Sequence, residues 1–170
     1  GQFGNETKML TCHECGVGVV STEQNATSCT KCPIGWSSKS KGSATCTSCG
    51  AGKYSNEQGV ECKQCPEGYY RINDGNSEEI SPTAYTSCVA CPTGYYQNNK
   101  GRASCLPCLP GSYTNEEGKV KCTKCAQNTI SDASNSTGCE PCKAGEAAPK
   151  NGSSSCQPCD RGMYFSNTKN

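Results

Sequence analysis

The stretch Cys108-Leu-Pro-Gly111-Ser-Tyr113-Thr-Asn-Glu-Glu-Gly118-Lys-Val-Lys-Cys122-Thr-Lys-Cys125 decides how this sequence is read. A Gly stands three residues after the opening Cys, an aromatic at five and a second Gly at ten. A Cys-x-x-Cys pair then closes the unit and opens the next. The same template recurs through nearly the whole chain, so the sequence is a tandem array of small modules. Its pairs begin at Cys12, Cys29, Cys46, Cys62, Cys88, Cys105, Cys122, Cys139 and Cys156, with steps of 17, 17, 16, 26, 17, 17, 17 and 17 residues.

Each column of the template carries a physical role. The Gly at three is Gly18, Gly35, Gly52, Gly68, Gly94, Gly111, Gly145 and Gly162, and only Asn128 departs from it. At five stand Val20, Tyr54, Tyr70, Tyr96, Tyr113, Ile130 and Tyr164, with Trp36 one place early and Ala147 a weak member. At ten stand Gly42, Gly59, Gly101, Gly118 and Gly152, with Asn25 and Asn135 as alternatives. Gly and Asn interchange where φ must be positive, so the tenth position reads as the tip of a turn. A module is then two short extended arms around a turn, with its aromatic against the disulfides.

Composition sets the class. Eighteen Cys in 170 residues is a disulfide scaffold by density. Only 32% of residues are apolar even with Cys counted, too few to fill one sizeable core. Cross-links therefore carry the fold, which implies an oxidising compartment and an extracellular or cell-surface location. The expected fold class is small disulfide-rich repeats of about 17 residues with β-hairpin-like arms, stacked into a rod or shallow superhelix. A net charge of +1 with scattered Lys and Glu marks no nucleic-acid partner, and no apolar run approaches a membrane span.

Residues 1–170 read as one continuous array cut within a module at both ends. Gly1-Gln2-Phe3-Gly4-Asn5-Glu6 matches the template from its first Gly onward, and Cys159 is followed by Gly162 and Tyr164 without a further Cys. The truncations bear on pairing. If the second Cys of each pair bonds the first of the next, the bonds are Cys15–Cys29, Cys32–Cys46, Cys49–Cys62, Cys65–Cys88, Cys91–Cys105, Cys108–Cys122, Cys125–Cys139 and Cys142–Cys156. Cys12 and Cys159 are left to bond residues outside the segment, in neighbouring repeats of the same or an adjoining chain. A crossed scheme, such as Cys12–Cys29 with Cys15–Cys32, leaves one of the nine pairs without a partner pair. The sequential ladder is preferred.

One module breaks the rhythm. The step from Cys62 to Cys88 carries nine extra residues, within Arg71 to Tyr85. Insertions in repeat arrays emerge as loops on one face and often bind, although a lengthened loop also costs little in itself. Within residues 66–87, Tyr69, Tyr70, Arg71 and Tyr85 are the candidates for contact with a protein ligand. Four sequons stand at Asn5, Asn25, Asn135 and Asn151. Asn25 and Asn135 fall on the turn tip and Asn151 beside it, where N-linked glycans would project into water.

Catalytic chemistry finds no footing. The only His is His13, no nucleophile–base set can be assembled, and no cofactor is expected. Repeated Cys-x-x-Cys pairs also suit zinc, as a minor alternative, but a metal at every couple of pairs fits nine pairs poorly.

The pattern Cys-x-x-Cys-Pro-x-Gly-x-Tyr, as in Cys88-Val89-Ala90-Cys91-Pro92-Thr93-Gly94-Tyr95-Tyr96, resembles ephrin-receptor-like and growth-factor-receptor cysteine-rich repeats. It is also similar to the opening loop of tumour necrosis factor receptor modules, and the regular array resembles ciliate immobilisation antigens. The resemblance implies an elongated, disulfide-bonded extracellular stalk or coat and carries over no binding residue. The expected function is a structural spacer, coat, stalk or filament protein. The alternative is a receptor-type ectodomain that binds a protein ligand through residues 66–87. Elemental analysis with thiol titration of unreduced protein is expected to find no zinc and no more thiol than Cys12 and Cys159 supply. Stoichiometric zinc with free thiols along the chain would overturn the scaffold.

Overall fold

The computed structural model describes residues 2–3, 12–72 and 86–164. Eight disulfides join the second Cys of each pair to the first of the next, from Cys15–Cys29 to Cys142–Cys156. The loops they close span 13 or 14 residues, except the 23 of Cys65–Cys88. Closing a loop of this size removes about 3 kcal/mol of unfolded-chain entropy per bond. Cys12 and Cys159 carry no disulfide.

No helix forms among the described residues. Each strand has two residues and pairs antiparallel with the strand closing its module. Val19–Val20 meets Thr30–Lys31, Trp36–Ser37 meets Thr47–Ser48, and Lys53–Tyr54 meets Lys63–Gln64. Tyr95–Tyr96 meets Leu106–Pro107, and the same pairing recurs at Ser112–Tyr113 with Thr123–Lys124. Thr129–Ile130 with Glu140–Pro141 and Glu146–Ala147 with Gln157–Pro158 follow it, and Gln2–Phe3 pairs with His13–Glu14. A hairpin this short is not stable alone. From the Cys15–Cys29 module onward each is pinned by its disulfide and by one more backbone bond, from the Cys that follows it to the carbonyl of the third residue, Gly or Asn128. Cys32 N to Gly18 O at 2.9 Å and Cys108 N to Gly94 O at 2.9 Å are examples.

The chain divides into two compact units. One comprises Gly1–Pro66, Tyr70–Val89 and Lys100–Ala103, the other Glu67–Tyr69, Ala90–Asn99 and Ser104–Asn170. Both use the same two bonds between successive modules. The Gly at three donates its N–H to the carbonyl of the sixth residue in the next module. Gly35 reaches Ser55 O at 2.8 Å in the first unit, and Gly111 reaches Ser131 O at 2.7 Å in the second. In return the tip residue donates to the Cys carbonyl of the module before it. Gly59 to Cys32 O at 3.0 Å and Gly118 to Cys91 O at 2.8 Å show this in the two units.

The insertion leaves this register intact. Gly101 N donates to Cys65 O at 2.9 Å across 36 residues, where the regular modules use 27, as from Gly42 to Cys15. The difference is the nine inserted residues.

Modules two apart also touch, and here the third-position glycine is required. Gly52 has φ +70°, and a Cβ built on it would overlap the carbonyl of Gly101. Gly18 stands in the same way against Gly59, and Gly111 against Gly152. Asn128 holds the same conformation at φ 61°, and its side-chain Oδ1 accepts from Ala148 N at 3.2 Å. The one departure in the Gly column is therefore a substitute of like conformation.

The interior differs from the expectation of an aromatic against each disulfide. The second Cys of every disulfide-bonded pair is buried, and so is the sixth residue of each module: Ser21, Ser38, Ser55, Arg71, Gln97, Thr114, Ser131 and Ala148. Tyr54, Tyr70, Tyr96 and Tyr113 are only half-buried, and Trp36 is exposed. Successive strand residues face opposite sides. The side chain of the sixth reaches the preceding module, which approaches at backbone distance, so small or hydrogen-bonding side chains fit there. Ser38 Oγ accepts from Gly18 N at 2.8 Å, and Thr114 Oγ1 accepts from Gly94 N at 2.8 Å. A buried hydroxyl so bonded avoids the desolvation cost of an unpaired one.

Gly52→Ala and Gly145→Ala separate backbone strain from packing. Both positions have positive φ, but a Cβ at Gly145 meets nothing within 4 Å. Gly145→Ala should cost only the left-handed penalty of about 1–2 kcal/mol. Thermal unfolding with disulfides intact should show a larger loss for Gly52→Ala. Equal losses would remove the contact between modules two apart.

Candidate functional site

The chemistry-bearing groups were read in the cysteines, the sequons and residues 66–87, and the structure treats them differently. Sixteen Cys are held as disulfides and offer no thiolate, so zinc would have only Cys12 and Cys159 as cysteine ligands. Among the described residues, no three His, Cys, Asp or Glu side chains gather as a metal site would need. No helix there is long and apolar enough to cross a membrane.

Asn25 and Asn135 sit at turn tips with φ of 62° and 64°, and both are exposed. The backbone of Asn135 is engaged through its N–H to Cys108 O at 2.9 Å, while the residue itself faces solvent. Asn151 is exposed beside Gly152, the tip of its own module. Asn5 lies outside the described residues.

Within residues 66–87, only 66–72 and 86–87 are described, and the candidates there differ in exposure. Arg71 occupies the buried sixth position, where other modules place Ser, Thr, Gln or Ala, and is 4% exposed. Its carbonyl accepts from Gly52 N at 2.9 Å and its N–H donates to Arg102 O at 3.1 Å. Held from both sides, its side chain turns inward and donates from Nη1 to Lys53 O. The guanidinium is therefore withdrawn from an incoming partner, which corrects its reading as a contact residue. Tyr70 is half-buried, Tyr69 is exposed, and Tyr85 lies outside the described residues.

Two concavities lie elsewhere. In the first unit Ser37, Thr47, Ser48, Lys39, Lys53 and Glu61 border about 300 Å³ of polar space, with charges of both signs. In the second unit Tyr96, Leu109 and Val120 line a shallow groove of about 500 Å³, with Glu67, Asn98 and Lys121 at its border. Leu109 is 68% exposed and Val120 41%. The groove went unseen in the sequence because the repeat template drew attention to its invariant columns. Its signal was there: the first position after the second Cys holds Gly16, Pro33, Gly50, Pro66, Pro92, Ala126, Lys143 and Asp160, and a large aliphatic only at Leu109.

What these sites share is a scaffold whose disulfides and backbone bonds repeat while its side chains vary. Residues 79–118, under a quarter of the chain, match the family model described as tyrosine-protein kinase ephrin type A/B receptor-like. No curated protein matches the chain. The matched residues hold the Cys91–Cys105 module and the first part of the next, and the same bonding recurs on either side. Over residues 79–118 the chain is thus similar to ephrin-receptor-like cysteine-rich repeats, and the same disulfide spacing recurs outside them.

Proposed function

We propose that this chain is a non-catalytic extracellular structural segment, a spacer in a coat, stalk or filament, built from disulfide-linked and N-glycosylated repeats. The observation that carries this reading is the constancy of the joints. The same pair of backbone bonds links successive modules in both units, and the inserted residues do not shift it. A spacer needs such repetition, since each added module extends the array by the same relation. A cysteine-rich array of receptor-like repeats also fits an ectodomain, but the inward turn of Arg71 takes away the charged anchor that residues 66–87 offered a ligand.

In this reading Asn25, Asn135 and Asn151 carry glycans, since each stands exposed at or beside a tip. Cys12 and Cys159 join repeats outside residues 12–159, continuing the ladder in the same or an adjoining chain. Disulfide mapping and glycopeptide mass spectrometry of native material, with surface biotinylation of intact cells, test it. Expected are surface labelling, glycans at those three sites, and both cysteines bonded to peptides from elsewhere. A Cys12–Cys159 bond, or an unglycosylated protein reached by label only after lysis, would overturn it.

A further inference from the structure

The groove of the second unit has a feature that the repeat template does not require. Leu109 opens a turn fixed twice over, because Ser112 donates to its carbonyl from both N, at 3.0 Å, and Oγ, at 2.7 Å. Pro110 further restricts the backbone of Leu109. On the other side, Gln97 N donates to Lys119 O at 3.1 Å, which secures the backbone just before Val120. The projecting Leu and the adjoining hollow are thus preorganised, and little freedom is lost when they are covered. Water gains nothing from an exposed leucine. Burying it takes apolar surface out of water, which favours the contact.

The charges at the border point to what covers it. Glu67 and Lys121 stand at the same groove, and neither belongs to an ion pair among the described residues, unlike Lys119 with Glu116 at 2.8 Å. A surface holding a knob and a hollow, with one acid and one base, is complementary to itself. In a two-fold contact each group meets its counterpart on the other copy, so Glu67 faces Lys121 of the second copy and Leu109 enters the facing groove. A net charge of +1 sets up no general repulsion between copies. We propose that the Tyr96–Leu109–Val120 face is a docking surface for a second copy of this chain. The inference is independent of the spacer reading, since an ectodomain of any role could associate through it.

The patch is small beside a standard interface, so the contact is weak and depends on concentration. Sedimentation velocity across roughly a hundredfold range of concentration therefore reads it. A Cys12→Ser/Cys159→Ser form is run in parallel, so that disulfide-linked copies are not counted. The unaltered sequence and the serine form should both pass from monomer to dimer. Leu109→Glu and Glu67→Lys should stay monomeric where the unaltered chain is dimeric, and Glu67→Lys/Lys121→Glu should recover the dimer. The charge reversal keeps the test decisive even if Leu109→Glu fails to fold. Monomer throughout, undiminished dimer with Leu109→Glu, or no recovery by the double reversal would each overturn the proposal.

Discussion

The fold depends on how closely one module's backbone can approach the next. A chain with 32% apolar residues cannot separate water from a core by side-chain bulk. It does so by bringing the backbones of neighbouring modules together around the buried second Cys of each pair. The third residue of each module donates to the sixth residue of the next, and the tip donates back to a Cys carbonyl. These bonds need their partners within 3 Å or so, and where the tip from two modules on also closes in there is no room for a Cβ at the third position. A Cβ at Gly52 or Gly111 would occupy the place of a carbonyl from two modules on. Disulfide, glycine and backbone bond are one device.

Small polar residues at the sixth position follow from the same constraint. Ser38 and Thr114 lend a hydroxyl to the Gly N–H of the preceding module, where an apolar residue would only fill space. Gln97 serves the same slot differently, donating from Nε2 to Ser104 O at 2.8 Å within its own loop. Arg71 is the largest variant and is accommodated by sending its guanidinium to the Lys53 carbonyl. A buried cation is costly unless hydrogen-bonded. Its presence beside the insertion shows how far one slot can vary while the joint stays fixed.

Much of this was legible in the residues and some of it was not. The 17-residue step, the short hairpins and the positive-φ tip column could be read because disulfides and turns impose local rules on residue type. Asn25 and Asn135 were placed correctly as left-handed positions by chemistry alone, whereas Asn128 reads in the sequence only as a departure from the Gly column. The sixth position was missed because its residues are Ser, Thr, Arg, Gln and Ala, a mixture that signals solvent in ordinary proteins. Burial there comes from backbone approach and not from hydrophobicity, so no hydropathy pattern reports it. Arg71 misled for the same reason, since an arginine beside two tyrosines resembles a binding anchor until its neighbours on both sides are known. Leu109 was passed over because it interrupts a column with no structural role.

Structural duties borne by cysteine, glycine and main chain leave the remaining side chains free to vary. Second Cys and sixth residue are buried in each disulfide-bonded module, while the first position is exposed in all but Gly16. Function in such an array is therefore to be sought in departures from the template at unconstrained positions. Departures at the buried positions, such as Arg71, are answered within the fold and never reach a partner. Leu109 and Val120 are departures of the other kind, one on a hydrogen-bonded turn and the other next to Lys119, whose carbonyl accepts from Gln97 N. A change there alters what the surface can meet without disturbing any joint beneath it. Surface specificity can thus be gained or lost one module at a time.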